Sequence, residues 1–272
     1  MRYLTQSILK MPKRKKASHK GDFGTVMIIG GSADFAGAPI LAATAAKSVL
    51  RAGADIAKLA APAKVAWAAN ALSPDIITKK YKGDYFTMRH SNDIIKEARK
   101  ADVIQIGCGI GRKKETMAFI KKVVKNLTRM KKPMVIDADA LKAIRLQDVD
   151  NSILTPHRKE FEILLKNSRL KSDDYRKKLR NNVMLLKGPI DMIVSKDKIA
   201  YNSTGNPVMT KGGTGDVLAG LCAGFLAQTR DLFRSACMAA YLNGKVGDYL
   251  LKKRGRTFIA SDIVENLHLV LR

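Results

Sequence analysis

The constraint that most narrows the fold of this chain is a recurrence: a short apolar run, a glycine-rich break, then a longer segment of helical character. Thr25-Val26-Met27-Ile28-Ile29 is apolar without alternation, as strands buried on both faces of a parallel sheet are, and Gly30-Gly31-Ser32 interrupts it. The Ala-rich stretch over 37–51 then reads as a helix with a small-residue packing face, stopping near Gly53, and 55–60 reads as the next strand. The unit returns at 103–106, with Gly107-Cys108-Gly109-Ile110-Gly111 and a helix over 115–130. It returns again at Met134-Val135-Ile136, with Asp137-Ala138-Asp139 and a helix from Ala140, and at Ile153-Leu154, with Thr155-Pro156-His157 and a helix from about Lys159. Strands at 183–186, 191–194 and 199–201 follow too closely for crossover helices, which predicts an antiparallel portion; helices over 216–228, 232–253 and 261–271 close the chain. Such repetition implies right-handed crossovers and an α/β fold, a largely parallel central sheet flanked by helices on both faces. Ligands of such sheets bind beyond the carboxyl ends of the strands, the edge at which every glycine-rich break falls. A single domain over residues 1–272 is expected, with 1–20 a basic lead-in.

Composition excludes several classes. Hydrophobic residues make up 46% of the chain, enough for a substantial core, and the longest uncharged apolar run, 217–227, is too short to span a bilayer. The basic cluster Lys13 to Lys16 ends the first segment instead of opening it, the wrong order for a secretory signal. Three cysteines, Cys108, Cys222 and Cys237, lack any framework or metal-cage spacing. A cytoplasmic protein with incidental thiols is expected. Lys and Arg number 50 against 24 Asp and Glu, a net charge of +26. The charge is scattered and only 6% of residues are aromatic, so it reads as a solvated surface favouring small anions over nucleic acid.

The strongest local signal is Gly212-Gly213-Thr214-Gly215-Asp216 before an apolar helix. Glycines let several N–H groups aim at one point, and the helix dipole favours an anion there. A carboxylate beside an anion hole suits phosphoryl transfer to an alcohol, with Asp216 activating the attacking oxygen; the same residues also read as an ordinary helix cap. In Thr155-Pro156-His157-Arg158-Lys159-Glu160, His157 is placed to bind a polar substrate and Glu160 to hold water on Mg²⁺, unless Glu160 only supports a helix start. Neither a spaced Gly-x-Gly-x-x-Gly fingerprint nor a P-loop occurs, and the four histidines offer no metal or triad spacing.

In order, these segments resemble the ADP- or ATP-dependent NAD(P)H-hydrate dehydratases of the ribokinase-like superfamily. The resemblance is carried by His19-Lys20-Gly21 with Ile29-Gly30-Gly31-Ser32, by Gly37-Ala38-Pro39, by Ile106 to Gly111, and by Ile136-Asp137-Ala138-Asp139-Ala140-Leu141. Thr155-Pro156-His157, Glu160-Phe161, Leu186-Lys187-Gly188, Asn202 to Pro207 and Gly212 to Asp216 complete it. It implies that Ala38, Gly109, Gly111, His157 and Asp216 touch the hydrated nicotinamide cofactor. It assigns Lys187, Gly188, Pro189, Ile190, Asp191, Gly212, Gly213, Thr214 and Gly215 to the adenine nucleotide, ADP or ATP, with Mg²⁺ as the ion and Glu160 its indirect partner. The sequence departs from the family at Cys108, often Pro; at Phe35, often Tyr; at Val208, often Gly; and at Lys211, usually small.

The implied reaction dehydrates the S epimer of hydrated NADH or NADPH. Asp216 takes the proton of the ring hydroxyl while a terminal phosphoryl group transfers to its oxygen, and phosphate then leaves. AMP or ADP is the other product. No fused epimerase segment is expected, so a separate epimerase would serve the other epimer, and a homo-oligomer such as a tetramer is expected. A small-molecule kinase of the same superfamily is the rival reading.

Overall fold

The computed structural model describes residues 2–10, 19, 23–51 and 55–271; the Lys13 to Lys16 cluster, Lys20-Gly21 and the expected helix stop at Gly53 lie outside them. In chain order the elements are β1 (Thr25–Ile29), α1 (Gly37–Arg51), β2 (Ile56–Pro62), α2 (Ala63–Leu72), β3 (Ile77–Tyr81), α3 (Ser91–Ala98), β4 (Val103–Ile106) and α4 (Lys114–Arg129). Then come β5 (Met134–Ile136), α5 (Asp139–Ala143), β6 (Ser152–Leu154), α6 (Arg158–Ser168), β7 (Val183–Leu186), β8 (Asp191–Val194), β9 (Ile199–Asn202), α7 (Thr214–Thr229), α8 (Leu232–Arg254) and α9 (Ala260–Val270).

The strands form one nine-stranded sheet in the order β3-β2-β1-β4-β5-β6-β7-β8-β9. It is parallel from β3 to β7 and antiparallel across β7, β8 and β9, because residues 187–190 and 195–198 are too few for a crossover. The expected largely parallel α/β sheet is thus present. Three elements were not legible in the sequence: α2, β3 and α3. The edge strand β3 carries Lys79 and Lys80 and leaves Ile77 exposed, so it lacks the buried-strand signature, while the lysines protect an open sheet edge.

Alternation along β1 divides the core. Val26 and Ile28 join the layer containing α1, α7, α8 and α9, whereas Met27 and Ile29 join the layer containing α3, α4 and α5. Helix α7 is buried continuously from Val217 to Ala227, which explains that long uncharged run: a helix apolar all round must be covered all round. Gly220 permits its close crossing with α1, since a Cβ there would stand 2.2 Å from the Ala42 carbonyl oxygen. The start of α7 is therefore fixed by a rigid, fully packed helix.

All three cysteines are free and buried, and burial pushes the Cys237 thiol up to about 12 and those of Cys108 and Cys222 upward as well. They are protonated packing residues. Among the described residues no helix is long and apolar enough to cross a membrane.

Candidate active site

The loops leaving β1, β4, β5 and β6 gather beyond the carboxyl ends of their strands. Gly31 N–H donates to the Cys108 carbonyl at 2.9 Å and the Ser32 hydroxyl to the Gly109 carbonyl at 2.9 Å, joining the first two loops. Gly107 has φ +128°, and a Cβ on it would lie 1.9 Å from the Asp137 carbonyl oxygen, so only glycine fits. Ala38 and Gly109 are immediate neighbours, with the Ala38 Cβ 3.1 Å from the Cβ position of Gly109, and Gly111 faces Ser32. These three expected substrate residues do form one patch.

The β5 loop supplies a residue to which the sequence reading gave no role. Ala138 adopts φ 51°, ψ −125°, a conformation costing about 1–3 kcal/mol for a non-glycine residue, and next to it stands the buried carboxylate of Asp137. Asp137 Oδ1 accepts from the Thr155 hydroxyl at 2.6 Å and from Lys187 Nζ at 3.1 Å. A charged residue directly after a fully buried strand was the available signal. Lys187 arrives there because its N–H donates to the Pro156 carbonyl at 2.9 Å, pinning the end of β7 beside His157.

His157 caps α6: its Nδ1 accepts from Glu160 N–H at 3.3 Å, and Glu160 Oε2 accepts from His157 N–H at 3.1 Å. Glu160 therefore does support the helix start. Its oxygens also face inward, 3.9 Å from both Lys142 Nζ and Lys187 Nζ, and Lys142 pairs with Asp139 at 2.8 Å. Lys142 had no sequence signal beyond its i,i+3 spacing from Asp139.

Asp216 is not the helix cap. That position belongs to Gly213, in left-handed conformation at φ 93°, and Asp216 lies within the first turn of α7. The first intrahelical bond runs from Val217 N–H to the Gly213 carbonyl, so the preceding N–H groups point out of the helix end. Thr214 offers only its N–H, because its hydroxyl donates back to the carbonyls of Met209 and Lys211. Gly213 packs against Leu41 and Ala260. Lys211 Nζ is tied to the carbonyls of Arg256 and Phe258, each at 2.8 Å, which anchors the loop.

Electrostatics single out Asp216. Burial first, and then the negative charge of Asp137, push its carboxyl up to about 7; Lys187 pulls it down and Glu160 adds to the rise. Burial alone would depress the Lys187 ammonium, but Asp137 and Glu160 outweigh it and leave it above the ordinary lysine value. Asp216 also raises the pKa of Cys108, beside Gly109, so its charge is felt by both the Ala38–Gly109 patch and Lys187.

A cavity of about 770 Å³ opens on the Lys187 side. Lys187, Gly188, Pro189, Asp191, Thr214 and Gly215 line it, as does His157, while Ile190, Gly212 and Gly213 are not on its wall. Asp191 works partly as a clamp, since its carboxylate accepts from Gly188 N–H and Asn202 Nδ2, both at 3.1 Å. Thr204, Asn206, Pro207, Met209, Ala240 and Asn243 also line it. His157 thus faces the nucleotide-sized cavity rather than the Ala38 patch alone. A direct ion cage is absent: among the described residues no group of three or more His, Cys, Asp and Glu is arranged to hold a metal.

Fold and site together place the chain among ribokinase-like proteins: a mostly parallel sheet, an anion-attracting helix end at its carboxyl edge, and a carboxylate in that helix's first turn. The sequence profile described as NAD(P)H-hydrate dehydratase matches residues 26–269, and the chain belongs to this family. It is 41% identical to the bifunctional NAD(P)H-hydrate repair enzyme Nnr of Methanothermobacter thermautotrophicus, over 97% of this chain and 53% of that protein. The chain spans about half the length of the curated relatives it matches. Among solved structures it resembles a ribokinase-like superfamily protein of Enterococcus faecalis, with TM-score 0.86 and 26% identity over 99% and 95% of the two chains. It also resembles the ADP/ATP-dependent NAD(P)H-hydrate dehydratase of Bacillus subtilis co-crystallized with ATP and Mg²⁺, with TM-score 0.79 and 25% identity over 100% and 99%.

Proposed function

We propose that this chain dehydrates the S epimer of hydrated NADH and NADPH at the expense of ADP or ATP, as a cytoplasmic cofactor-repair enzyme. The observation that carries this reading is the Asp216 carboxyl, pushed up to about 7, one residue beyond the cavity-lining Gly215 and close enough in charge to act on both Lys187 and Cys108 beside Gly109. A base with a pKa near the working pH beside outward-pointing N–H groups suits activation of an alcohol for phosphoryl transfer.

The nucleotide's phosphates would lie against Lys187 and the N–H groups of Thr214 and Gly215, with the hydrated ring at Ala38, Gly109 and Gly111. Asp216 removes the proton from the ring's C6 hydroxyl as its oxygen takes the terminal phosphoryl group. The C6–O bond then breaks with phosphate leaving, pushed by the ring nitrogen lone pair. Loss of a C5 proton restores the reduced nicotinamide, leaving AMP from ADP or ADP from ATP. Four carboxylates, Asp137, Asp139, Glu160 and Asp216, against two lysines, Lys142 and Lys187, make a neighbourhood suited to a cation carried in with the phosphates. Mg²⁺ would be held there by phosphate and by water on Glu160, and would neutralise phosphate charge. Lys187 pairs with Asp137 at 3.1 Å, and the negative charge of Asp137 in turn raises the Asp216 carboxyl.

The decisive assay offers hydrated NADH and NADPH, each with ADP or ATP, and follows both free phosphate and the near-ultraviolet absorbance of reduced nicotinamide. Stoichiometric recovery of both supports the reading. A kinase of the same fold would instead leave a stable phosphorylated alcohol without free phosphate, and that product would sink it. The likeness to hydroxyethylthiazole kinase of Pyrococcus horikoshii, TM-score 0.57 at 16% identity, speaks to fold alone.

A pH prediction follows. Asp216 must be ionised to act, so kcat/KM for the hydrate should rise with pH through about 7 and level off above it. Asp137→Asn removes a negative charge that opposes Asp216 ionisation, so it should move this acidic limb to lower pH. An unmoved limb in Asp137→Asn would assign the ionisation to another group.

A further inference from the structure

One wall of the cavity comes from α8 and the 204–209 loop. Most of its polar side chains are already engaged. Thr204 Oγ1 donates to Asn202 Oδ1 and to the Tyr241 carbonyl, and Asn206 joins Asp248 to Val208 N–H. Asn243 differs. It is only 7% exposed, lines the cavity, and its Oδ1 has no hydrogen-bond partner.

A buried carbonyl without a donor is unfavourable, and folded proteins leave few of them. Here it belongs to a residue of the cavity wall. Ala240 lies three residues earlier on the same helical face, and Met209 stands on the same cavity wall, so the amide borders an apolar shelf. Gly244, one residue on, lets the 204–209 loop approach closely: a Cβ there would lie 2.2 Å from the Thr204 hydroxyl oxygen. A flat aromatic ring lying on this shelf, with an N–H donor at its edge, would satisfy both the apolar wall and the orphaned acceptor. The terminal torsion of an asparagine is soft, so Oδ1 can turn toward the cavity without giving up a bond of its own.

We propose that Asn243 reads the base of the bound nucleotide, its Oδ1 accepting a hydrogen bond from the exocyclic amine of adenine. The amine is the only N–H donor on the edge of that base. This rests on the reading of the cavity as the nucleotide site.

The test is calorimetric titration of the full chain with ADP and with purine riboside 5′-diphosphate, the same nucleotide lacking the amine. The parent should bind ADP about 10-fold more tightly, the effect of one well-placed hydrogen bond. Asn243→Leu and Asn243→Ala should bind the two nucleotides equally, the alanine variant guarding against a side chain that blocks the base. Without ligand, Asn243→Leu should melt at or above the parent temperature, because an unpaired carbonyl has been replaced by an apolar group. An undiminished preference for ADP in both variants would overturn the assignment. So would loss of the preference accompanied by a large fall in the ligand-free melting temperature of both variants, which would make Asn243 a folding residue. A parent that binds neither nucleotide would instead overturn the reading of the cavity itself.

Discussion

Asp216→Asn should lower turnover by about 10² to 10⁴, roughly 3 to 5 kcal/mol of barrier, while leaving the fold intact. The size follows from removing a general base that no neighbour replaces: Glu160 is engaged with the start of α6 and Asp137 with Thr155 and Lys187. Stability should hold because Asp216 is not the cap of α7, Gly213 is, and among the described residues no side-chain hydrogen bond to Asp216 is lost. Burial and the charges of Asp137 and Glu160 all disfavour its ionised form, so a neutral amide relieves an unfavourable interaction. Nucleotide affinity should stay or tighten, since a negative charge beside the phosphates is gone. Turnover and melting temperature measured on the same variant separate chemistry from structure. Near-parental turnover would remove Asp216 from the reaction.

Lys187→Met is expected to destabilise the chain by about 3–5 kcal/mol, as for a buried ion pair deprived of one partner. The Lys187 side chain is 20% exposed and that of Asp137 only 3%, so water cannot replace the lost cation at the Asp137 carboxylate. An exposed pair would give less than about 1 kcal/mol, and denaturant titration distinguishes the two magnitudes. Binding of ADP and ATP should weaken in parallel, because Lys187 lines the cavity. A stable variant with parental nucleotide affinity would show that the Lys187–Asp137 pair organises neither the fold nor the ligand.

The two variants probe one arrangement from opposite sides. Removing the cation leaves Asp137 without compensation, whereas removing Asp216 lightens an excess of negative charge. A large loss of stability in Lys187→Met with none in Asp216→Asn is therefore the signature of a cluster in which Lys187 is the common counter-ion.

Local chemistry alone determined much of this protein. Buried strands announce themselves by uninterrupted apolar runs, so β1, β4, β5, β7 and β8 were legible to the residue, and the short links after β7 and β8 dictated antiparallel pairing. The glycine breaks located the ligand edge, and the run of motifs from Gly30 to Asp216 carried the family. The edge strand β3 and its flanking helices were not legible, because a strand open to water carries lysines and loses its apolar signature. At the site, sequence named Asp216 but left its position in the helix open, and it gave no role to Asp137, Lys142 or Asn243. Tertiary structure alone decided those points. The pKa of Asp216 depends on burial and on charges from β5, α6 and β7, elements separated by dozens of residues. The vacant acceptor of Asn243 has meaning only where α8 meets a loop some forty residues earlier in the chain. Through-space fields and cavity walls are set by which elements meet, and a periodicity or a motif reports only on neighbours along the chain.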